Sequence, residues 1–294
     1  QLFEDMFKDY TEKELAVIKA KYGTEGNILE APLLIEQKAR DMMRHYAGVV
    51  LPEGFKAQVV ATSRRAAVTY REKLLAARDE LVADLEAVPA DRLSLPEDEI
   101  EKLEPQAKFL VRVHPRLSFI RALEIAVVIS GDHNDPESWW DWSNREKQKE
   151  YTKRFKRKLA TAGTDKTDPL ALMVVNNMLL TGFDAPVEQV IYLDRKIDGH
   201  DLLQAIARVN RICGLKKCGF VVDYIGVARH LNEALKEYDG TGVEGNLIDI
   251  SMELPKLMDR RRRAVSVFTD RGIADLFGQV DMCVRLLEDL KVRA

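Results

Sequence analysis

Cysteine is scarce: Cys213, Cys218 and Cys283 are the only three in 294 residues. That is too few for a disulfide framework, and the Cys213/Cys218 spacing meets no second ligand pair that would complete a zinc site. Reduced structural thiols are expected. An excess of one charge is also lacking, since 45 basic residues stand against 48 acidic ones for a formal net charge of -3. A protein that coats nucleic acid by bulk charge is thereby excluded, and any contact of that kind has to be local. No apolar run approaches the roughly 20 residues of a membrane span, so no membrane is expected as a partner. No charged-then-apolar leader precedes residue 1, and Gln1 in place of Met points to a start inside a longer chain. A cytoplasmic location follows as an expectation. His45, His114, His133, His200 and His230 share no ligand spacing, so no metal site is expected. Missing too is any Gly-x-x-x-x-Gly-Lys-Ser/Thr loop, the element that cradles phosphates and holds magnesium. Asp98-Glu99-Ile100-Glu101 fits an Asp-Glu box by letter but lies in an acidic, helix-like stretch and not at the end of an apolar strand. No Asp and Glu-x-Lys set falls on a strand pair either, which leaves out a nuclease centre.

What is present is an ordinary globular balance, 46% hydrophobic and 32% charged, long enough to bury one large core or two small ones. Five short, continuously apolar runs stand out: Ala57 to Thr62, Glu124 to Ser130, Leu170 to Val175, Gln189 to Leu193 and Gly219 to Asp223. Strands without polar alternation suit a sheet covered on both faces, so these runs predict a parallel α/β sheet sandwiched by helices, with right-handed crossovers. Arg64 to about Val88 reads as one of the helices, ended by Pro89. Residues 1–48 read as a charged helical lead-in arm with Leu33, Leu34, Ala39 and Met43 on one face, closing near the turn Leu51-Pro52-Glu53-Gly54. Residues 49–238 form the sheet-bearing lobe. The polar stretch Asp239 to Asn246 marks a boundary, and residues 239–294 form a small all-α appendage in which Leu254, Leu257, Met258, Leu276, Val280, Cys283 and Leu287 recur at helical spacing.

Two stretches carry chemistry. Leu179-Leu-Thr-Gly-Phe-Asp-Ala-Pro186 lies between two buried strands, where ligands of open α/β sheets collect. Gly182 would admit a phosphate or sugar close to the backbone, and Asp184 would accept from a hydroxyl; a ligand-free turn is the plain alternative. In Leu202-Leu-Gln-Ala-Ile-Ala-Arg-Val-Asn-Arg211, Gln204, Arg208 and Arg211 fall at i, i+4 and i+7 on one helical stripe, with Leu202, Ile206 and Val209 opposite. Two guanidiniums presented together suit the charge of a triphosphate's transition state, although a solvated polar face has the same pattern.

Together these stretches resemble motifs V and VI of superfamily 2 helicases and translocases, in the wording of the restriction subunit of type I restriction-modification systems. That family has Thr-Gly-Phe-Asp-Ala-Pro and Gln-Ala-x-x-Arg-x-Asn-Arg where the wider superfamily has Arg-Gly-x-Asp and Gln-x-x-Gly-Arg-x-x-Arg. Ala207 stands here in place of the usual glycine. Upstream, Val59-Val-Ala-Thr-Ser-Arg-Arg65 resembles motif IV. The resemblance covers about residues 1–240 and implies the second RecA-like, P-loop NTPase-type lobe of a motor that pulls DNA using ATP before the complex cuts it. It implies ATP and Mg²⁺ held mainly by a first motor lobe outside this chain, and double-stranded DNA, modification and specificity subunits, and the chain's own nuclease and first motor lobes as partners. Arg208, Arg211 and Gln204 would act on the γ-phosphate, Gly182 and Asp184 on the nucleotide, and Thr62, Ser63, Arg64 and Asn176 on DNA. The fragment by itself should hydrolyse almost nothing. Another superfamily 2 helicase of repair or RNA metabolism, or a non-catalytic assembly module, would share the fold.

Smaller signals stay open between two readings. The run Lys153-Arg-Phe-Lys-Arg-Lys158 offers Lys153, Arg154, Lys156 and Arg157 either to a DNA backbone or to solvent. Arg260 to Arg263 docks another lobe or is a solvated face. Trp139, Trp140 and Trp142 either stack on bases or anchor their loop. Ser130-Gly131-Asp132 touches a backbone or forms an Asx turn.

Overall fold

The computed structural model describes residues 30–179, 182–197, 199–214, 216, 218–225 and, further on, 261, 265, 267–269, 271–273 and 278–288. The chain divides into two compact units, 1–234 and 235–294. In the first unit, helix α1 (Pro32–His45) runs through a π-turn at Tyr46–Val50 into strand β1 (Lys56–Ala61). Helix α2 (Arg64–Glu86) follows, then short helices up to Ala122, and strand β2 (Glu124–Val128). Helix α3 (Arg145–Phe155) leads to a two-residue parallel pair, β3 (Lys158–Leu159) with β4 (Thr167–Asp168), and on to strand β5 (Leu170–Val175). Strand β6 (Glu188–Asp194), helix α4 (Gly199–Val209) and strand β7 (Phe220–Asp223) complete it.

The five long strands form one sheet in the order β2-β5-β1-β6-β7, with every neighbouring pair parallel. This is the helix-flanked parallel sheet of a RecA-like lobe. All six residues of β1 are buried, and both of its faces are used. Ala57, Val59 and Ala61 join the apolar cluster that α1 and α2 cover, while Gln58 and Val60 point the other way and are equally enclosed. Continuous apolarity was therefore the correct signature of a doubly covered sheet. Each strand of the β3/β4 pair is two residues long and leaves no periodicity to find in the sequence.

Residues 32–48 of the expected lead-in arm are built into this unit. Ile35, Ala39, Met42 and Met43 are within 1% of full burial, and the isoleucine and each methionine contribute about 1.5–3 kcal/mol when buried. Leu33, expected on the same face, is instead 70% exposed. Its neighbours Leu34 and Ile35 occupy the inner face, and 100° of helix per residue carries Leu33 away from it. Lys38 enters the core because its ammonium meets Asp194 at the end of β6, whose other oxygen accepts from Tyr70 Oη of α2 at 2.6 Å. One carboxylate thus pins two helices to the sheet.

In the second unit the described helix is α5 (Val280–Glu288). Val280 is exposed and Cys283 half-buried. Leu254, Leu257, Met258, Leu276 and three arginines of the basic run lie outside the described residues, as does the side chain of Leu287; Arg261 is exposed. Among the described residues no helix is long and apolar enough to cross a membrane.

Candidate functional site

The connections leaving β1 and β5 travel to opposite sides of the strand order, and such a divergence opens a crevice at the carboxyl ends of the strands. Thr62 and Ser63 follow β1 there, and Asn176 follows β5. Ser63 Oγ accepts from Ala66 N at 3.0 Å and so caps α2. Asn176 Nδ2 donates to Ala61 O at 2.9 Å, tying the ends of the two central strands together. Arg64 is engaged as well, donating to Ser130 O at 2.8 Å and pairing with Asp135. Asp132 Oδ1 accepts from Asn134 N at 3.0 Å, the Asx-turn reading of that loop. Among these residues the Thr62 hydroxyl has no hydrogen bond to a described residue.

The segment after Asn176 turns sharply. Leu179 has φ +63° and Gly182 φ +70°; a Cβ on Gly182 would meet nothing within 4 Å, so glycine there serves the backbone angle and leaves the peptide open. Leu180 and Thr181 lie outside the described residues. Phe183 then turns inward and packs beside Phe155 of α3 at 6.1 Å between ring centroids.

The two motif stretches meet here. Arg211 Nη1 reaches Asp184 Oδ2 at 2.7 Å, with both side chains about half exposed. Arg208 is 5% exposed, lies 5.9 Å from the Phe183 ring and donates to Leu179 O. Burial holds its guanidinium below the usual arginine range, against the pull of Glu188. Gln204 is half-buried on the same helix. Leu202, Ile206 and Val209 are buried, as the spacing predicts, but Arg208, expected on the presented stripe, is buried too, drawn in by Leu179 O and the Phe183 ring. Helix α4 is fixed at its end by Gly219, whose N donates to Asn210 Oδ1 at 2.9 Å, and a Cβ on that glycine would fall 2.4 Å from Val209 O. Sequence reading passed over Gly219, whose need for closeness depends on a partner in space.

Beneath this cluster lies a group of buried charges that sequence reading also missed. Glu188, first in β6, is fully buried with no hydrogen bond to either carboxylate oxygen, and burial pushes it up to about 8 despite the opposing Arg208 and Lys216. Lys216 Nζ donates to the Pro186 and Glu188 carbonyls at 2.9 Å each. Lys56, first in β1, is equally buried, and burial brings it down to about 7 although Asp168 opposes.

The basic run of α3 divides in two. Arg154 donates to Asp168 at 3.0 and 2.9 Å and also reaches Glu124, while Arg157 meets Asp168 at 3.4 Å. Arg154 therefore braces the starts of β2 and β5, and Arg157 the approach to β5, a use that removes both from the expected DNA surface. Lys153 and Lys156 are exposed. Trp142 stacks on Tyr151 and lies under Arg71, and Trp139 packs on the core, so these two anchor their loop; Trp140 is exposed.

Residues 122–226, about a third of the chain and the part that holds both motif stretches, match the family described as type I restriction enzyme subunit R domain 3-like. The chain is 42% identical over 102 residues to the type I restriction enzyme HindI endonuclease subunit of Haemophilus influenzae, covering 34% of this chain and 10% of that protein. It is 34% identical over 156 residues to the putative MjaIXP endonuclease subunit of Methanocaldococcus jannaschii, covering 52% and 14%. To the putative MjaVIIIP subunit of the same organism it is 26% identical over 246 residues, covering 81% and 20%. The chain thus spans a tenth to a fifth of the length of these curated relatives.

Proposed function

Because residues 122–226 match the R subunits of type I restriction enzymes, we propose that the parallel sheet of this chain is the second lobe of their DNA-translocating motor, working in the cytoplasm with modification and specificity subunits. The observation that carries the reading is the meeting of Arg211, Arg208 and Asp184 from two separate motif stretches beside the open peptide of Gly182.

The donor set suits a nucleotide edge. Two guanidiniums lie in one cluster, Arg211 is exposed, and Asp184 Oδ1 has no hydrogen-bond partner. ATP with Mg²⁺, held mainly by the first lobe, would supply the free energy of the cycle. Arg211 exchanges its exposed pairing with Asp184 for phosphate, Gln204 senses the γ-phosphate, and Asp184 and Gly182 receive the nucleotide's hydroxyls. Arg208 stabilises the same charge from a desolvated position, where each charge interaction is stronger than in water. Thr62 and Ser63, with Arg64 and Asn176 holding the rim in shape, receive DNA phosphates at the carboxyl ends of β1 and β5. Binding and release then switch the lobes between two arrangements. The piece by itself lacks the phosphate-cradling loop and turns over essentially no ATP.

The test uses the full R subunit in its complex, measuring ATP turnover with and without unmodified target DNA. Arg211→Ala should lower DNA-stimulated turnover by roughly 10³-fold or more, with melting temperature and DNA binding kept. Unchanged turnover would make α4 structural and the motor reading wrong. Arg208 is also bonded to Leu179 O, so Arg208→Lys separates the two uses: lowered turnover supports charge stabilisation, and normal turnover with a lowered melting temperature would assign the residue a bracing role instead.

A further inference from the structure

Glu188, at the foot of β6, is fully buried, and neither of its carboxyl oxygens has a hydrogen-bond partner. A side chain is seldom left in that condition, because an unpaired buried polar atom costs stability. Donors are not lacking around it. Arg208 of α4 and Lys216 of the loop before β7 both face the carboxyl. Yet Lys216 Nζ donates to the Pro186 and Glu188 carbonyls at 2.9 Å each, and Arg208 donates to Leu179 O. The acceptor is present and the cations are close, but their hydrogen bonds are aimed elsewhere.

The two cations differ in their freedom to respond. Lys216 ties together the main chain at Pro186 and Glu188, and moving its ammonium would release both carbonyls. Arg208 holds the peptide of Leu179, whose φ of +63° leucine rarely adopts. A planar guanidinium also offers a carboxylate two parallel N–H donors, which an ammonium does not. Arg208 is thus the cation that an ionised Glu188 would draw. The remaining charges face these two cations or point away. Arg211 and Asp184 face Arg208, and Cys213 faces Lys216. Lys56 of β1 is in register with Glu188, but its ammonium lies against the Phe155 ring and Arg154 O, with Asp168, Arg154 and Arg157 around it. Burial keeps the Glu188 proton in place up to about 8, so at neutral pH the carboxyl makes no claim on Arg208.

We propose that Glu188 is the positioning residue of Arg208: as the acid it leaves the guanidinium to a nucleotide phosphate, and as the carboxylate it competes with that phosphate. The proposal rests on the motor-lobe reading, in which Arg208 meets the charge of the nucleotide. A phosphate that engages Arg208 removes the charge that favours ionisation of Glu188. Nucleotide binding and the Glu188 proton therefore support one another, each raising the affinity for the other.

The experiment measures DNA-stimulated ATP turnover by the full R subunit in its complex, as KM and kcat, from about pH 7 to about pH 9. In the parent, KM for ATP should rise about tenfold across this range, as the protonated fraction of a group near 8 falls from about nine-tenths to about one-tenth. Competition leaves saturated turnover alone, so kcat should change less than about threefold. In Glu188→Gln, whose amide cannot ionise, KM should vary less than about twofold over the same range. Titration of Lys56, of Cys213 or of the nucleotide acts on both proteins alike and cancels in their ratio. A parent KM that stays flat overturns the proposal without any variant, and an equal rise in parent and Glu188→Gln overturns it too. A merely structural Glu188 would change the melting temperature and leave the KM profile as it was. Arg211→Ala tests the motor reading at a single pH. Lost turnover there, with identical KM profiles for parent and Glu188→Gln, removes the role of Glu188 alone; unchanged turnover there removes the reading and this proposal with it.

Discussion

Asp168, two residues before β5, and Glu188, first in β6, are both buried carboxylates, and they end in opposite states. Burial alone raises both. At Asp168 hydrogen bonds from Arg154 and Leu170 N reverse the effect, and the group is held below its ordinary value. At Glu188 nothing reverses it, and the carboxyl stays near 8. Cations are close to Glu188 too, but Lys216 gives its hydrogen bonds to the Pro186 and Glu188 carbonyls, and Arg208 donates to Leu179 O. A neighbouring charge offsets burial only in part; a donor aimed at the carboxylate completes the reversal.

The largest effect that would break this contrast comes from Asp168→Ala, which leaves Arg154 and Arg157 without their shared acceptor. Loss of one partner of a buried pair costs about 3–5 kcal/mol, so the first unit should melt roughly 10 °C lower in calorimetry. An unchanged melting temperature would mean that this cluster is as weak as a surface pair. Next in size is a pH effect at Glu188, which Arg208 and Lys216 face. The folded chain keeps the Glu188 proton up to about 8, whereas the unfolded chain releases it near the ordinary glutamate value of 4.5. Between those values the folded state binds more protons, so this group's contribution to stability declines as pH rises from 4.5 to 8. Glu188→Gln should remove that decline, giving a variant whose gain over the parent grows across the window and is constant above it. Parallel urea midpoints for parent and variant at every pH would contradict the assignment. The smallest effect belongs to Leu179→Gly: relief of a left-handed leucine, about 1–2 kcal/mol, opposes glycine's chain entropy and the lost side chain. The melting temperature should move by less than about 3 °C, and a drop beyond 8 °C would show the leucine side chain to be a core element.

The contrast also explains what could be read in the chain and what could not. All five long strands were legible to within one or two residues, because a doubly covered strand needs unbroken apolarity wherever it lies. The α4 stripe was legible for the same reason, as local periodicity. Lys38, Lys56, Glu188 and Gly219 were not, since their roles depend on partners up to 156 residues away, as for Lys38 with Asp194. The basic run misled in an instructive way. Contiguous letters suggested one surface, but a helix sends Lys153 and Arg154 about 100° apart, one to solvent and one to Asp168. The spacing of Arg145, Lys149 and Lys153 was available in the sequence and would have separated them.

The peptide at Leu179 has two owners. Leu179 lines a cavity of about 550 Å³ together with residues of α3, and its carbonyl is an acceptor that Arg208 uses, in a backbone conformation that leucine rarely adopts. An anion that draws Arg208 off this carbonyl removes the tether from a residue already inclined to flip toward right-handed geometry. The cavity wall at Leu179 and the Arg208 guanidinium thus share one peptide, and a change at either is felt at the other.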